Sequence, residues 1–304
     1  MKSPPQCVRS NTMNMEITPC YEPESGTWSY LVADADKRVA AIIDPVWVFD
    51  PVSGMVKTAP ADHLLEIAQT CGYRIEWVLE THAHADHLTA AAYIRQKTGA
   101  RVAIGRDICT VQKIFARAFN LAELATDGSQ FDRLLAEGDT IALGDLVIRV
   151  METPGHTHDS VTYLAGNAAF VGDTLFAPSY GTARCDFPGG DPSQLYDSIQ
   201  KIYRLPECTQ LFLCHDYPAE GDKPVSMVPL TASMEHNVHV NSSTSREAFV
   251  AMRTERDRHL HLPRLIMPSL QVNMRAGEPP EPDSNGVSYL RIPFNRRLPE
   301  LLGR

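Results

Sequence analysis

Apolar residues recur along this chain with two periods, one of about two residues and one of about 3.6, and the period switches several times. Residues 26–34 and 38–44 are short apolar runs divided by a polar turn, which predicts two neighbouring strands. Residues 47–60 are rich in turn formers and read as a loop or insertion. Leu64, Leu65, Ile67 and Ala68 fall at helical spacing within residues 61–72, and Gly72 supplies a stop. Residues 75–79 predict a short strand, 88–98 a helix stopped by Gly99, and 101–104 another strand. Residues 107–136 read as a helix followed by a loop through Gly128. The second half follows the same plan. Strands are expected at 141–144 and 146–151, a hairpin over 161–164 and 168–171 with Gly166-Asn167 at its turn, a helix at 192–203 and a strand at 210–214. Two strand-rich halves with interleaved helices predict two packed sheets with helices outside, a four-layer αββα sandwich of the α/β class. Beyond residue 220 the texture becomes polar and proline-rich around one helix at about 245–260, with a tail at 287–297. The expected organisation is a disordered extension over residues 1–15, with Met13 or Met15 as alternative starts. A single domain over 16–304 follows, in which 221–304 form a cap over the active-site edge.

Composition narrows the function. The 304 residues carry a formal net charge of −9, which argues against a general nucleic-acid surface. No apolar run approaches the roughly 18 residues of a membrane span, and the first residues have no secretory h-region. Seven cysteines, an odd count with no C-x-x-C pair, fit a reducing cytoplasm better than a disulfide framework.

The candidate chemistry is concentrated. Thr81-His82-Ala83-His84-Ala85-Asp86-His87 packs three imidazoles and a carboxylate into six residues, just beyond the 75–79 strand. His156 follows the Pro154-Gly155 turn, Asp173 follows an apolar strand within Gly172-Asp173-Thr174, and His215 follows Cys214 at another strand end. Imidazole and carboxylate together are ligands for zinc, iron or manganese, and a buried carboxylate needs a compensating cation. His158 has a weaker setting, and His236, His239, His259 and His261 have none. Arg184, in Tyr180-Gly181-Thr182-Ala183-Arg184-Cys185-Asp186-Phe187, has two readings, a clamp on a substrate carboxylate or a salt bridge to Asp186. Asn273-Met274-Arg275 is a polar segment that would line the cap.

The T-H-A-H-A-D-H, P-G-H-T, G-D-T and C-H-D-Y segments, in this order, resemble the metallo-beta-lactamase superfamily. Within it, G-T-A-R-C-D-F at 181–187, H-D-Y at 215–217 and P-S-L-Q-V-N-M-R-A-G at 268–277 are similar to the glyoxalase II branch and, more closely, to persulfide dioxygenases. The resemblance implies one ferrous ion, Fe(2+), held by His82, His156 and Asp173. It places His84, Asp86, His87 and His215 around it, tuning the reaction. It implies substrate contacts from Arg184, Tyr217, Asn273 and Arg275. The implied partners are a small thiol persulfide such as glutathione persulfide and O2, with sulfite and thiol released. It also admits a homodimer, since the family includes dimers. Cys185 departs from the family pattern, where threonine is common, and residues 47–60 are longer than in compact members.

The same donors fit a second reaction. In a binuclear zinc thioesterase of glyoxalase II type, His82, His84 and His156 would hold one Zn(2+). Asp86, His87 and His215 would hold the other, and Asp173 would bridge them. A non-catalytic protein that kept the fold is a third class, against which the intact donor set argues.

Overall fold

The computed structural model describes residues 8–9, 14–219 and 221–301. Its first half runs β1 (Val8–Arg9), β2 (Met15–Glu22), β3 (Thr27–Asp34), β4 (Val39–Ile43), β5 (Val46–Asp50), β6 (Met55–Lys57), α1 (Ala59–Cys71), β7 (Arg74–Leu79), β8 (Leu88–Thr89), α2 (Ala91–Thr98), β9 (Arg101–Gly105), α3 (Ile108–Ala118) and β10 (Arg133–Leu135). The second continues with β11 (Thr140–Leu143), β12 (Leu146–Glu152), β13 (Val161–Ala165), β14 (Ala168–Phe170), a 3-10 turn (Gly172–Thr174), α4 (Pro192–Ile202) and β15 (Gln210–Phe212). After these come β16 (Met227–Pro229), α5 (Leu230–His236), α6 (Arg246–Asp257), α7 (Ile266–Asn273) and α8 (Leu298–Leu301).

Strands β1-β2-β3-β4-β7-β9-β10 form one sheet and β11 to β16 the other. The αββα order follows from which side chains each strand sends to each face. Along β3, Trp28, Tyr30 and Val32 enter the core between the sheets, while Leu31 and Ala33 face the helices outside. Tyr30, Val32, Ile43 and Leu79 meet Ile141, Ile148, Tyr163 and Phe170 of the opposite sheet. Leu64 of α1, Ile94 of α2 and Phe115 of α3 cover the outer face of the first sheet. Leu195, Ile199 and Ile202 of α4 cover that of the second. Each such leucine or isoleucine, fully buried, contributes about 1.5–3 kcal/mol.

Parallel pairing sets where the chemistry sits. β4, β7 and β9 are parallel neighbours, so the residues after them emerge at one edge. β14 and β15 are parallel neighbours in the second sheet and emerge together as well. Asp44 follows β4, the histidine loop follows β7, Asp173 follows β14 and His215 follows β15. An isolated bridge between Thr27 and His215 ties the two sheets at that edge.

Three segments differ from expectation. Residues 47–60 are not a loop. They hold the β5–β6 hairpin, which pairs with β8, and the first turn of α1. The turn formers at 51–54 are only its tip, and Val46-Trp47-Val48-Phe49 are strand formers. Residues 88–98 open with β8 before α2 begins. Beyond 220 the chain adds β16 to the second sheet and buries α7, seven of whose eight residues are inaccessible. A helix buried all round shows no amphipathic stripe, so its sequence gives no periodic signal. Of the extension expected to be disordered over 1–15, most lies outside the described residues; Val8–Arg9 pairs with β2, and Met15 opens β2. Among the described residues no helix is long and apolar enough to cross a membrane.

Candidate metal centre

The histidine loop is tethered by its backbone before any side chain does chemistry. Thr81 N–H donates to Asp44 Oδ1 at 2.7 Å, and Ala83 N–H donates to Asp159 Oδ2 at 2.8 Å. Asn273, at the end of α7, donates from Nδ2 to the carbonyls of both His84 and His87 at 2.8 Å. Its Oδ1 accepts from Thr89 N–H at 2.9 Å. Gly172 allows the Asp173 turn to close against this loop. Its φ is +51°, and a Cβ there would stand 2.8 Å from Thr81 Oγ1.

The partners of each imidazole fix which nitrogen keeps a lone pair. Thr81 Oγ1 spends its proton on Asp44 Oδ2, so it accepts from His82 Nδ1 at 3.0 Å and leaves Nε2 bare. His156 Nδ1 donates to the Arg184 carbonyl at 2.7 Å, and His87 Nδ1 to the Leu88 carbonyl at 3.3 Å. His84 is turned the other way. Its Nε2 faces Asp44 Oδ1 at 3.1 Å and Glu80 Oε2 at 3.7 Å, leaving Nδ1 free. His215 Nδ1 lies 3.3 Å from Thr27 Oγ1.

The remaining polar atoms converge without partners. His82 Nε2, His84 Nδ1, His87 Nε2, His215 Nε2, Asp86 Oδ2 and Asp173 Oδ1 are all buried and make no hydrogen bond among the described residues. Six orphaned donors in one place would be costly in a protein that bound no cation. With His156 added, they fall into two sets whose ligand atoms lie within 4.8 Å of one another, His82, His156 and Asp173, and His84, Asp86, His87 and His215; Asp173 also groups with Cys214 and His215, and His84 with Asp44 and Cys214. Asp173 stands between the sets, with Oδ2 3.5 Å from His156 Nε2 and Oδ1 3.3 Å from His215 Nε2. The residues therefore fit a metal, and all seven histidines and aspartates expected as donors from the sequence meet here.

Without an ion, the electrostatics show the same tension. Burial would lower the His84 pKa, but Asp44, then Glu80 and Asp86, hold it up at about 10, so a cation taking His84 Nδ1 would have to displace a proton from it. Burial and then Asp44 raise Glu80 to about 8. Burial and then His84 push His87 down to about 3, which keeps its lone pair available at neutral pH. Burial opposes ionisation of Asp86, yet His215, His87 and His84 bring it to about 2.

A cavity of about 380 Å³ opens onto His156, Asp173 and Asp86. Phe176, Phe187, Tyr180 and Tyr217 are among its walls, and Tyr217 stacks on His215 with ring centroids 5.9 Å apart. Of the expected substrate contacts, Arg184 and Tyr217 line this cavity, whereas Asn273 and Arg275 do not. Arg184 also meets its second reading, since Asp186 holds it by two bonds of 2.6 Å. Asn273 is spent on the histidine loop from behind, and Arg275 pairs with Glu123 at 3.2 Å beside a different depression. Sequence reasoning missed Asp44, Glu80 and Asp159, whose only signal is an acidic residue just after an apolar run (Asp44, Glu80) or shortly before one (Asp159). It also dismissed His239, which lines the cavity together with Arg253 and Arg256. His158 packs on Gly189.

The sequence pattern of the metallo-beta-lactamase superfamily matches residues 23–215, and the chain belongs to that superfamily. It is 48% identical to a probable metallo-hydrolase of Burkholderia pseudomallei, over 92% of this chain and 99% of that one. It is 29% identical to the human mitochondrial persulfide dioxygenase ETHE1, over 84% of this chain and 87% of that one. The solved structure of ETHE1 from Myxococcus xanthus matches with a TM-score of 0.69 at 30% identity, covering 86% of this chain and 99% of that one. With this donor set and these relatives, the chain is a metal-dependent enzyme of the superfamily.

Proposed function

We propose that this enzyme is a persulfide dioxygenase with one ferrous ion held by His82, His156 and Asp173. The observation that carries the reading is where the cavity opens. His156 and Asp173 of the three-donor set line it, while of the other four donors only Asp86 does. The likeness to ETHE1 of Myxococcus, over 86% of this chain, supports it. His82, His156 and Asp173 would hold the ion, and so small a protein donor set would leave room for substrate beside it. Bound ferrous iron would supply the one-electron chemistry that lets dioxygen react with a closed-shell sulfur, which zinc does not offer. Overall, persulfide, O2 and water give thiol, sulfite and two protons.

The chain's own residues orient and exclude. The His156 Nδ1–Arg184 carbonyl bond holds the imidazole so that Nε2 faces Asp173. Phe176, Phe187 and Tyr180 keep water from the cavity floor. Asp86, an anion at neutral pH, places its charge 3.3 Å from His215 Nε2, and the His215 ring is held through Nδ1 by Thr27. His84 and His87 are held behind it by Asn273 through their carbonyls.

A second reading is a binuclear zinc thioesterase. It is favoured by the orphaned second donor set, by Asp173 standing between the sets, and by the hydrolase name of the Burkholderia relative. One experiment separates the two. Metal content is measured on anaerobically purified protein, with oxygen uptake on glutathione persulfide and hydrolysis of S-lactoylglutathione in parallel. About one iron per chain with persulfide-dependent oxygen uptake and sulfite release is the expected result. About two zinc ions per chain, thioester cleavage and no oxygen uptake would replace it with the hydrolase.

A further inference from the structure

His82 and His215, one from each donor set, are both held through Nδ1 by a threonine hydroxyl. For His82 the chain is short, from Asp44 through Thr81 to the ring. For His215 it is longer and comes from another part of the fold. The turn between β2 and β3 lies against the segment that follows β15. Trp28 N–H donates to the Cys214 carbonyl at 2.7 Å, Asp216 N–H to the Gly26 carbonyl at 2.9 Å, and Tyr21 Oη to the Asp216 carbonyl at 2.8 Å. Gly26 makes the approach possible. Its φ is +70°, and a Cβ there would stand 2.6 Å from the Tyr217 ring. The backbone on either side of His215 is thus fastened, and what remains is which ring nitrogen carries the proton.

Three side chains of the turn decide it. The Glu22 carboxylate is buried and accepts from Glu24 N–H at 2.9 Å, Ser25 N–H at 2.7 Å and Ser25 Oγ at 2.6 Å. Ser25 Oγ lies 2.8 Å from Thr27 Oγ1, and Thr27 Oγ1 lies 3.3 Å from His215 Nδ1. A carboxylate cannot donate, so the Ser25 proton goes to Glu22. Ser25 Oγ then accepts from Thr27, and Thr27 Oγ1, its own proton spent, accepts from Nδ1. The opposite order would leave Ser25 Oγ and Glu22 Oε2 at 2.6 Å with no proton between them. Nε2 keeps its lone pair 3.3 Å from both Asp86 Oδ2 and Asp173 Oδ1, three acceptors that a cation would draw together.

We propose that Glu22, Ser25 and Thr27 are positioning residues of the reaction, whose one-way hydrogen-bond chain keeps a proton on His215 Nδ1 and turns Nε2 to the metal centre. Thr27 is fully buried. Glu22 and Ser25 line a depression of about 250 Å³ beside β5 rather than the cavity onto which His156 and Asp173 open. The chain therefore acts through His215 and not by touching substrate. The inference rests on the proposed function only in taking the site to hold a metal. It does not depend on whether that metal is iron or zinc.

The test is nitrogen NMR of isotope-labelled imidazole rings in zinc-loaded enzyme, which is diamagnetic, together with steady-state kinetics of the metal-loaded enzyme. Wild-type His215 is expected to carry a proton on Nδ1. Thr27→Val keeps the shape and removes the hydroxyl. It should abolish that preference and lower kcat about tenfold with KM within about twofold, and Thr27→Ser should restore both. Ser25→Ala breaks the chain at a half-buried turn position that folding tolerates, and should lower kcat about threefold. A wild-type His215 bare at Nδ1 and protonated on Nε2 overturns the chain. So does an unchanged ring and kcat in both Thr27→Val and Ser25→Ala, even where Tm falls, since that result leaves the hydroxyls only a packing role. Failure of the wild type on both persulfide and thioester overturns the reaction, while the NMR contrast between wild type and Thr27→Val still decides the chain.

Discussion

The donor loop and the cavity wall are built in opposite ways. Between His82 and His87, three imidazoles and a carboxylate come from six consecutive residues. The wall gathers Tyr180, Tyr217, His239, Arg256 and Pro263 from separate loops and one helix, spread over more than eighty residues. The loop is also locked from several sides, by Asp44, Asp159 and Asn273. Among the described residues, Arg256 on the wall enters no ion pair, and the His239 ring is held through Nδ1 by Thr182. Reactivity needs donors held to a fraction of an ångström, which buried hydrogen bonds provide. Recognition of a flexible thiol derivative tolerates a looser, partly exposed surface. The two regions are therefore expected to respond differently to substitution.

The largest effect should fall on the loop's side. Asp173→Ala removes the carboxylate that stands between the two donor sets, and bound metal measured by mass spectrometry should fall at least tenfold. Unchanged metal content would remove Asp173 from the ligands. Asn273→Ala comes next, because it strips donors from two buried carbonyls and the acceptor from Thr89 N–H. It should cost about 2–4 kcal/mol of stability and weaken metal binding roughly tenfold. A raised KM with unchanged Tm and metal affinity would instead make Asn273 a substrate contact. Gly181→Ala tests the wall. The methyl displaces His239 and strains a left-handed backbone, costing about 1–3 kcal/mol and raising KM more than it lowers kcat. A kcat loss with normal KM would move His239 from recognition into the reaction. The smallest effect belongs to Arg275→Ala, whose partner Glu123 lies beside a different depression. KM should change less than about twofold, since Arg275 does not reach the cavity; loss of the half-buried pair should instead lower Tm.

Much of the fold was legible because its strands and helices are amphipathic with clear stops. α1 ends where Gly72 stands, and α4 spans 192–202 against an expectation of 192–203. The hairpin at β5–β6 was obscured by its turn residues, and α7 by being buried on every side. Arg184 shows a different limit. Its two readings use the same residue types, and only coordinates reveal that Asp186 and the carbonyls of His261 and Leu260 take its donors.

By itself the sequence determined the superfamily and the layered architecture and singled out the seven histidines and aspartates that meet at the site, because ordered motifs, strand and helix periods and dense histidine spacing are local patterns. Only the tertiary structure decided which carboxylates turn each imidazole, that Asn273 braces the donor loop, and that Arg256 and His239 share a wall. Those arrangements depend on contacts between residues up to 189 positions apart, and no local period or spacing encodes them.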